Sequence, residues 1–250
     1  KSHAVEAALR VATGDIIALT DDDVQVTEDW LSQLKAALDD DEIGLAGGPV
    51  EPRWQQPAPR WLRLGGRGRL WAPLGLLDYG SDATALGPRT LLGANMAVRR
   101  SVLCTLGGYA THLGKLRGTL LSGEDHELCE RVQAAGYGAR YVPGARVRHL
   151  VPAERMRVRY FLRWFYWSGV TNAAMAPPRR QARTWLGVPA HLLRQFAGGL
   201  TGAAASVVRG RTPAAVDRAL DSAFALGYAA SRWGLVRTPA ASVPTTTRHV

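Results

Sequence analysis

Hydrophobic positions along the first 150 residues follow two periods in turn, and their alternation predicts an α/β chain. Residues 1–12 have the spacing of an amphipathic helix. Asp15-Ile16-Ile17-Ala18-Leu19-Thr20, preceded by Thr13-Gly14, reads as a buried strand. Thr27 is placed to cap a helix over 28–38, with Trp30, Leu31, Leu34 and Leu38 on one face. An acidic turn at 39–42 ends it, and 43–50 is the next strand. Residues 52–90 are rich in Pro, Gly, Arg and Trp and show no period, which predicts a functional loop or a lid. Residues 91–98 form a further buried strand, and 99–106 a short helix closed by Gly107-Gly108. Leu128, Val132 and Ala135 give 125–135 a helical period, with Gly136 as its stop. Two short strands, 139–142 and 145–149, are joined by Pro143-Gly144.

Beyond residue 152 the pattern is mostly helical, over 152–175, 182–208 and 213–235, and 238–250 reads as a disordered tail. No stretch reaches the roughly 20 uninterrupted apolar residues that a spanning helix needs. The nearest, 185–208, carries His191, Arg194 and Gln195 in its first half. It is expected to be interfacial or docked, with a re-entrant segment as the alternative.

Charge divides the chain along the same line. The 250 residues carry a net +10, but residues 151–250 hold 14 Arg, no Lys and three acids, a balance of +11, whereas residues 1–150 balance at −1. The expected organisation is an α/β domain over 1–152, a basic amphipathic helical extension over 153–237 and the tail. Arginines interleaved with Trp, Tyr, Phe and Leu suit an anionic membrane surface, and no nucleic-acid partner is expected. Cys104 and Cys129 lack metal-ligand spacing and read as reduced and structural. The chain opens at Lys1 inside a helix that runs into a strand, so earlier strands of the same sheet are expected to precede it.

The candidate chemistry lies in two acidic clusters. Asp21, Asp22 and Asp23 follow the first strand directly, at the carboxyl end where open α/β sheets place ligands. Three adjacent carboxylates repel one another unless a cation joins them, and hard oxygen ligands favour Mg²⁺ or Mn²⁺. A solvated acidic turn is the plainer alternative. About 100 residues later, Glu124 and Asp125 open a helix, where they serve either as reactive carboxylates or as a simple cap. Trp54, Trp61 and Trp71 either stack on the faces of a ligand or tuck the long loop onto the core. Arg53, Arg60, Arg63, Arg67 and Arg69 share that segment. Arg155, Arg157, Arg159 and Arg163 alternate with Tyr160, Phe161, Trp164, Phe165, Tyr166 and Trp167 in a basic-aromatic helix. It suits a membrane surface or packs its aromatics onto the domain.

Five segments in order and with matching gaps resemble the family 2 glycosyltransferases of the GT-A fold. They are Thr20-Asp21-Asp22-Asp23 with Glu28-Asp29-Trp30-Leu31; Leu92-Gly93-Ala94-Asn95-Met96-Ala97-Val98-Arg99-Arg100 with Gly107-Gly108-Tyr109; the 123–131 segment beginning Gly123-Glu124-Asp125; Ala135-Gly136-Tyr137 with Tyr141-Val142-Pro143; and Val147-Arg148-His149. The resemblance covers roughly residues 4–175. It implies a GT-A-like mixed, mostly parallel sheet flanked by helices. It also implies a metal-dependent, inverting transfer of a sugar from a nucleotide-diphosphate donor to a hydroxyl acceptor, a cell-envelope glycan or lipid-linked. By the same resemblance Asp21, Asp22 and Asp23 contact the donor, and Asp21, Asp23 and His149 hold Mg²⁺ or Mn²⁺. Asp125 is the base, supported by Glu124. Read on their own residues, Asn95 meets the acceptor or only shapes the turn beside Gly93, Trp71 meets the sugar or tucks the loop, and Arg131 meets the substrate or pairs with an acid of its own helix. A cytoplasmic protein peripheral to the inner face of the membrane is expected. The rival from another class is a non-catalytic relative that binds sugar or acceptor at that surface. A metal-dependent phosphohydrolase would want more His and Asp ligands than the chain offers.

Overall fold

The computed structural model describes residues 2–64, 68–110, 123–175 and 184–236, so the expected tail lies outside the described residues. From the N-terminus the order is α1 (Ser2–Leu9), β1 (Ile16–Thr20), β2 (Val24–Val26), α2 (Trp30–Leu38), β3 (Ile43–Gly47) and β4 (Val50–Trp54). Next come α3 (Arg60–Leu64), β5 (Thr84–Ala85), β6 (Asn95–Arg99), α4 (Arg100–Thr105), α5 (Glu124–Ala134), β7 (Gly138–Tyr141) and β8 (Val147–Val151). Then follow α6 (Val158–Met175), the hairpin β9 (Thr184–Trp185) and β10 (Val188–Pro189), α7 (Ala190–Val208) and α8 (Thr212–Arg232).

The α/β expectation holds, with one correction to the sheet. Its five strands run β1-β6-β3-β7-β5. β6 is antiparallel to both β1 and β3, so those two point the same way without touching. β7 is parallel to β3, and β5 is antiparallel to β7. Three strands thus share a direction, yet β3–β7 is the one parallel neighbour pair in this sheet, and "mostly parallel" does not describe it. The cause is β6, which arrives from the long segment after β4 and inserts where a β-α-β crossover would otherwise bring β1 and β3 together.

A second sheet, β2-β8-β4, is built from the continuations of the first. The stretch 43–50, expected as one strand, divides at Gly48-Pro49, where the chain steps from β3 to β4. A Cβ on Gly48 would lie 2.1 Å from the Ala145 carbonyl oxygen, so the step closes only around glycine. All five β3 residues are buried. α2 covers the sheet with Trp30, Leu34, Ala37 and Leu38, while Leu31 stays exposed. Thr27 does not cap α2; its hydroxyl donates to the Arg146 carbonyl at 3.2 Å.

The boundary expected at residue 152 is also corrected. Met156, Phe161, Phe165, Val216 and Leu220 belong to the same hydrophobic core as Leu62, Leu74 and the central strands. Aromatic residues of α6 turn inward while Arg157, Arg159 and Arg163 stay exposed, so the basic-aromatic helix is an amphipathic wall of the domain. α8 fastens it there. Their backbones approach so closely that a Cβ on Gly227 would lie 1.8 Å from the Tyr166 carbonyl oxygen, and one on Gly169 2.1 Å from that of Phe224. No helix among the described residues is long and apolar enough to cross a membrane.

Gly227→Ala must push α8 off α6, and overpacking of this kind costs about 1–3 kcal/mol or more. Gly198→Ala on α7, whose Cβ would meet nothing within 4 Å, is the control and should stabilise slightly. Urea denaturation is expected to move the two midpoints in opposite directions; equal midpoints would contradict the close crossing.

Candidate functional site

β1 ends at Thr20, opposite Asn95 of β6, and the chain leaves the sheet there as Asp21-Asp22-Asp23. The Val24 N–H closes the turn onto the Asp21 carbonyl at 3.3 Å, and the Leu150 N–H donates to the Asp23 carbonyl at 3.0 Å. β2 then pairs antiparallel with β8, with Val24 opposite His149. This register sets Asp23 against His149, Oδ1 to Nε2 at 3.3 Å. Arg155, in the turn after β8, lies 3.9 Å from the other Asp23 oxygen and 3.5 Å from His149 Nε2. Burial pushes the His149 pKa below its ordinary 6.5; the Asp23 carboxylate opposes that, and Arg155 reinforces it. The imidazole is therefore neutral at pH 7 and keeps a nitrogen lone pair. Its Nδ1 is buried without a hydrogen bond of normal geometry.

The second acidic cluster opens α5. Glu124, Asp125 and Glu127 occupy its first turn, where the helix dipole favours negative charge. Asp125 is fixed from two sides: the Gly93 N–H donates to Oδ2 at 2.8 Å, and the Tyr109 hydroxyl donates to Oδ1. Tyr109 is itself braced. Its N–H donates to the Glu6 carboxylate of α1. The Arg131 guanidinium donates to the carbonyls of Leu106 and Gly108 and to both Glu127 oxygens, at 2.7 and 3.0 Å. Burial, and then the Asp125 charge, push the Tyr109 pKa far up, so the hydroxyl stays a donor at all working pH.

Both clusters face one cavity of about 550 Å³. Asp21, Glu124, Asp125, His126, His149 and Arg155 line one part of it, and Trp71, Leu76, Tyr79, Leu92, Tyr160 and Trp164 another. Asp21 and the Glu124-Asp125 pair, so far apart in sequence, are thus brought together as expected, with Trp71 in the wall. Asp23 reaches the cavity through His149, and Asp22 is exposed to one side. Trp61 packs edge-on to Phe161 at 5.0 Å, and of the loop arginines Arg69 lines the cavity, held by Asp221 at 2.8 Å. Among the described residues, no three of His, Cys, Asp and Glu gather closely enough to enclose a metal ion. Of the expected set Asp21, Asp23 and His149, Asp23 and His149 lie 3.3 Å apart, and Asp21 is near enough for its charge to act on His149.

Two expected substrate contacts are corrected. Asn95 is fully buried, and its amide is spent on protein: Nδ2 donates to the carbonyls of Pro49 and Ala145 at 2.9 and 2.7 Å, while Oδ1 accepts from Trp30 Nε1 at 2.7 Å. Arg131 is absorbed by the turn it braces. Residues the sequence reading did not single out for the site are Tyr109, the Gly93 amide, Arg155, Tyr160 and Trp164. The last two stand four apart on α6, a spacing that places them on one face and was the available signal.

Asn95→Ala would leave the buried Ala145 carbonyl and the Trp30 indole N–H without partners, each costing about 1–3 kcal/mol, while the Pro49 carbonyl keeps the Val147 N–H at 3.2 Å. Chemical denaturation should show a loss at least that large, and Asn95→Asp should not restore it, since a carboxylate cannot donate to the carbonyls.

Residues 1–166 match the family described as Glycosyltransferase like family 2. The glucosyl-dolichyl phosphate glucuronosyltransferase of Haloferax volcanii is 24% identical over 176 residues, covering 70% of this chain and 55% of that protein. The succinoglycan biosynthesis protein ExoM of Rhizobium meliloti is 28% identical over 178 residues, covering 70% and 52%. The chain therefore spans about half the length of these curated relatives. A crystal structure described as GalNAc-T7 with UDP, GalNAc and Mn²⁺ overlays with a TM-score of 0.43 and 17% identity, covering 69% of this chain and 36% of that one.

Proposed function

The chain belongs to the family described as Glycosyltransferase like family 2, and on that premise we propose that it transfers a sugar from a nucleotide-diphosphate donor to a hydroxyl acceptor, with inversion at the anomeric carbon. The observation that carries this reading is the meeting of Asp21, His149, Glu124 and Asp125 in one cavity. Asp125 is the general base. Each of its oxygens already accepts one hydrogen bond, from Gly93 or Tyr109, which fixes the carboxylate and leaves further lone pairs for the acceptor proton. As the acceptor oxygen bonds to the anomeric carbon, its proton passes to Asp125, and the bond from that carbon to the diphosphate breaks with its electron pair. The nucleoside diphosphate is the leaving group. Glu124, buried beside the base, positions it.

A carboxylate and a neutral imidazole 3.3 Å apart suit a divalent cation completed by phosphate oxygens and water, so Asp23 and His149 are the residues that would hold Mg²⁺ or Mn²⁺. Bound there, the ion would neutralise charge growing on the departing diphosphate. Asp21 faces the donor from the same side, Arg155 and Arg69 are placed to meet phosphate, and Trp71 offers an aromatic face to a sugar ring.

The acceptor in this reading is a lipid-linked or cell-envelope glycan. Its support is comparative: one relative is named a glucosyl-dolichyl phosphate glucuronosyltransferase and the other a succinoglycan biosynthesis protein. The place of action is the inner face of the cell membrane, with the protein bound peripherally.

Release of UDP or GDP from nucleotide sugars, in the presence of membrane-extracted acceptors, tests the assignment. Asp125→Asn is expected to lower turnover by about 10²–10⁴-fold while leaving nucleotide affinity unchanged. Turnover at the wild-type rate would remove Asp125 from the reaction.

A further inference from the structure

We infer that the tip of the β9–β10 hairpin, with the end of α8, is the element that enters an anionic lipid bilayer; the inference rests on the membrane-surface reading above and gives it a location. The hairpin turn is Leu186-Gly187, with φ of 48° and 77°. A two-residue turn with both φ positive favours Asn-Gly, because a side chain is disfavoured in the left-handed region. Leu186 is the one non-glycine residue with positive φ among the described residues. Packing does not explain the choice, since its side chain is 68% exposed.

Leu186 is not isolated. Trp185 is 59% exposed, Leu235 73% and Trp233 39%. The two indoles meet edge to face at 6.3 Å, and Trp233 Nε1 donates to the Leu186 carbonyl at 3.2 Å. The tip is thereby tied to the end of α8. Its underside is anchored, with Val188 and Leu192 buried in a small core with Ala173, Ala225, Tyr228 and Ala229. The outcome is a rigid projection of large apolar side chains. Tryptophan and leucine on such a projection suit the boundary between headgroups and acyl chains.

Charge selects the kind of surface. Between Glu154 and Asp217 the sequence has ten arginines and no acid, and the hairpin lies within that stretch. In sequence, Arg179, Arg180 and Arg183 directly precede the hairpin, and basic residues flanking an apolar tip add attraction to anionic lipid, which the tip alone would not distinguish from neutral lipid.

The test is sedimentation of the whole chain with phosphatidylglycerol–phosphatidylcholine vesicles and with phosphatidylcholine alone. The variant is Leu186→Asn combined with Leu235→Ser. The first change installs the favoured Asn-Gly turn, so thermal unfolding should be unchanged or improved. Wild type should bind the anionic vesicles, and the double variant at least tenfold more weakly, with nucleotide-sugar turnover on a water-soluble acceptor unchanged. If wild type binds and the variant binds equally, the tip is not the contact, although the membrane reading stands. If wild type binds no vesicle, both readings fall. If the substitutions only break up a dimer in analytical ultracentrifugation, the patch covers a second copy and the inference is overturned.

Discussion

Asn95 lies on β6 at the point where the two sheets meet, and its side-chain amide joins three pieces of chain at a place where the ladders of both sheets are interrupted. Its two N–H groups reach Pro49, between β3 and β4, and Ala145, between β7 and β8. Those are two of the three places where the chain passes from the first sheet to the second, the third being the step from β1 to β2. Its oxygen takes the indole N–H of Trp30 at the start of α2. Gly48 lets the crossing strands touch, and Asn95 satisfies the Ala145 carbonyl that the touch would leave stranded in the core while adding a second donor to that of Pro49. From that knot β8 carries His149 forward, and β1, paired Thr20 to Asn95, delivers Asp21 one residue later. The site inherits its geometry from a residue that does not touch the cavity.

The cavity then gathers acids in a chain whose net charge is +10. Each cluster is stabilised differently. Asp23 faces His149 and Arg155, so its partners are cationic or can become so. Asp125 relies on a backbone N–H, a hydroxyl and the N-terminus of α5, none carrying a full charge. That difference suits different duties: an oxygen beside positive charge suits phosphate and metal, and one held by neutral donors suits contact with a hydroxyl. The opposite wall is α6, whose Tyr160 and Trp164 face inward because α8 clamps the helix through Gly169 and Gly227. The C-terminal half is therefore part of the site, and the family match, running to residue 166, crosses the boundary drawn from charge alone.

Much of this was legible from sequence where a periodic or local signal existed. The strand before Asp21, the α5 helix and the short strands ahead of His149 were found within about two residues. The pairing of two distant acidic motifs was also legible, because helix and strand ends announce where side chains gather. What escaped were non-local choices. Nothing in the stretch 91–98 says that β6 enters antiparallel between two parallel strands. Asn95 read as a ligand because a polar residue beside an apolar run has two explanations, and only three-dimensional neighbours decide between them. For Arg131 the local part was legible, a salt bridge to Glu127 one turn back on the same helix, but its carbonyl partners, 23 and 25 residues away, were not. The aromatic α6 helix left two readings open, a membrane surface or packing onto the domain, because the spacing of its apolar residues reveals a face but not what covers it; the structure has the second, with Phe161 and Phe165 in the core.

The central claim is that Asp23 and His149 form a metal-assisted diphosphate site facing Asp125. Calorimetric titration of UDP and GDP, with and without Mn²⁺, into this chain and into Asp23→Ala tests it most directly. The account predicts that one nucleotide binds only when Mn²⁺ is present and that Asp23→Ala abolishes that binding. Nucleotide binding indifferent to both Mn²⁺ and Asp23 would contradict it.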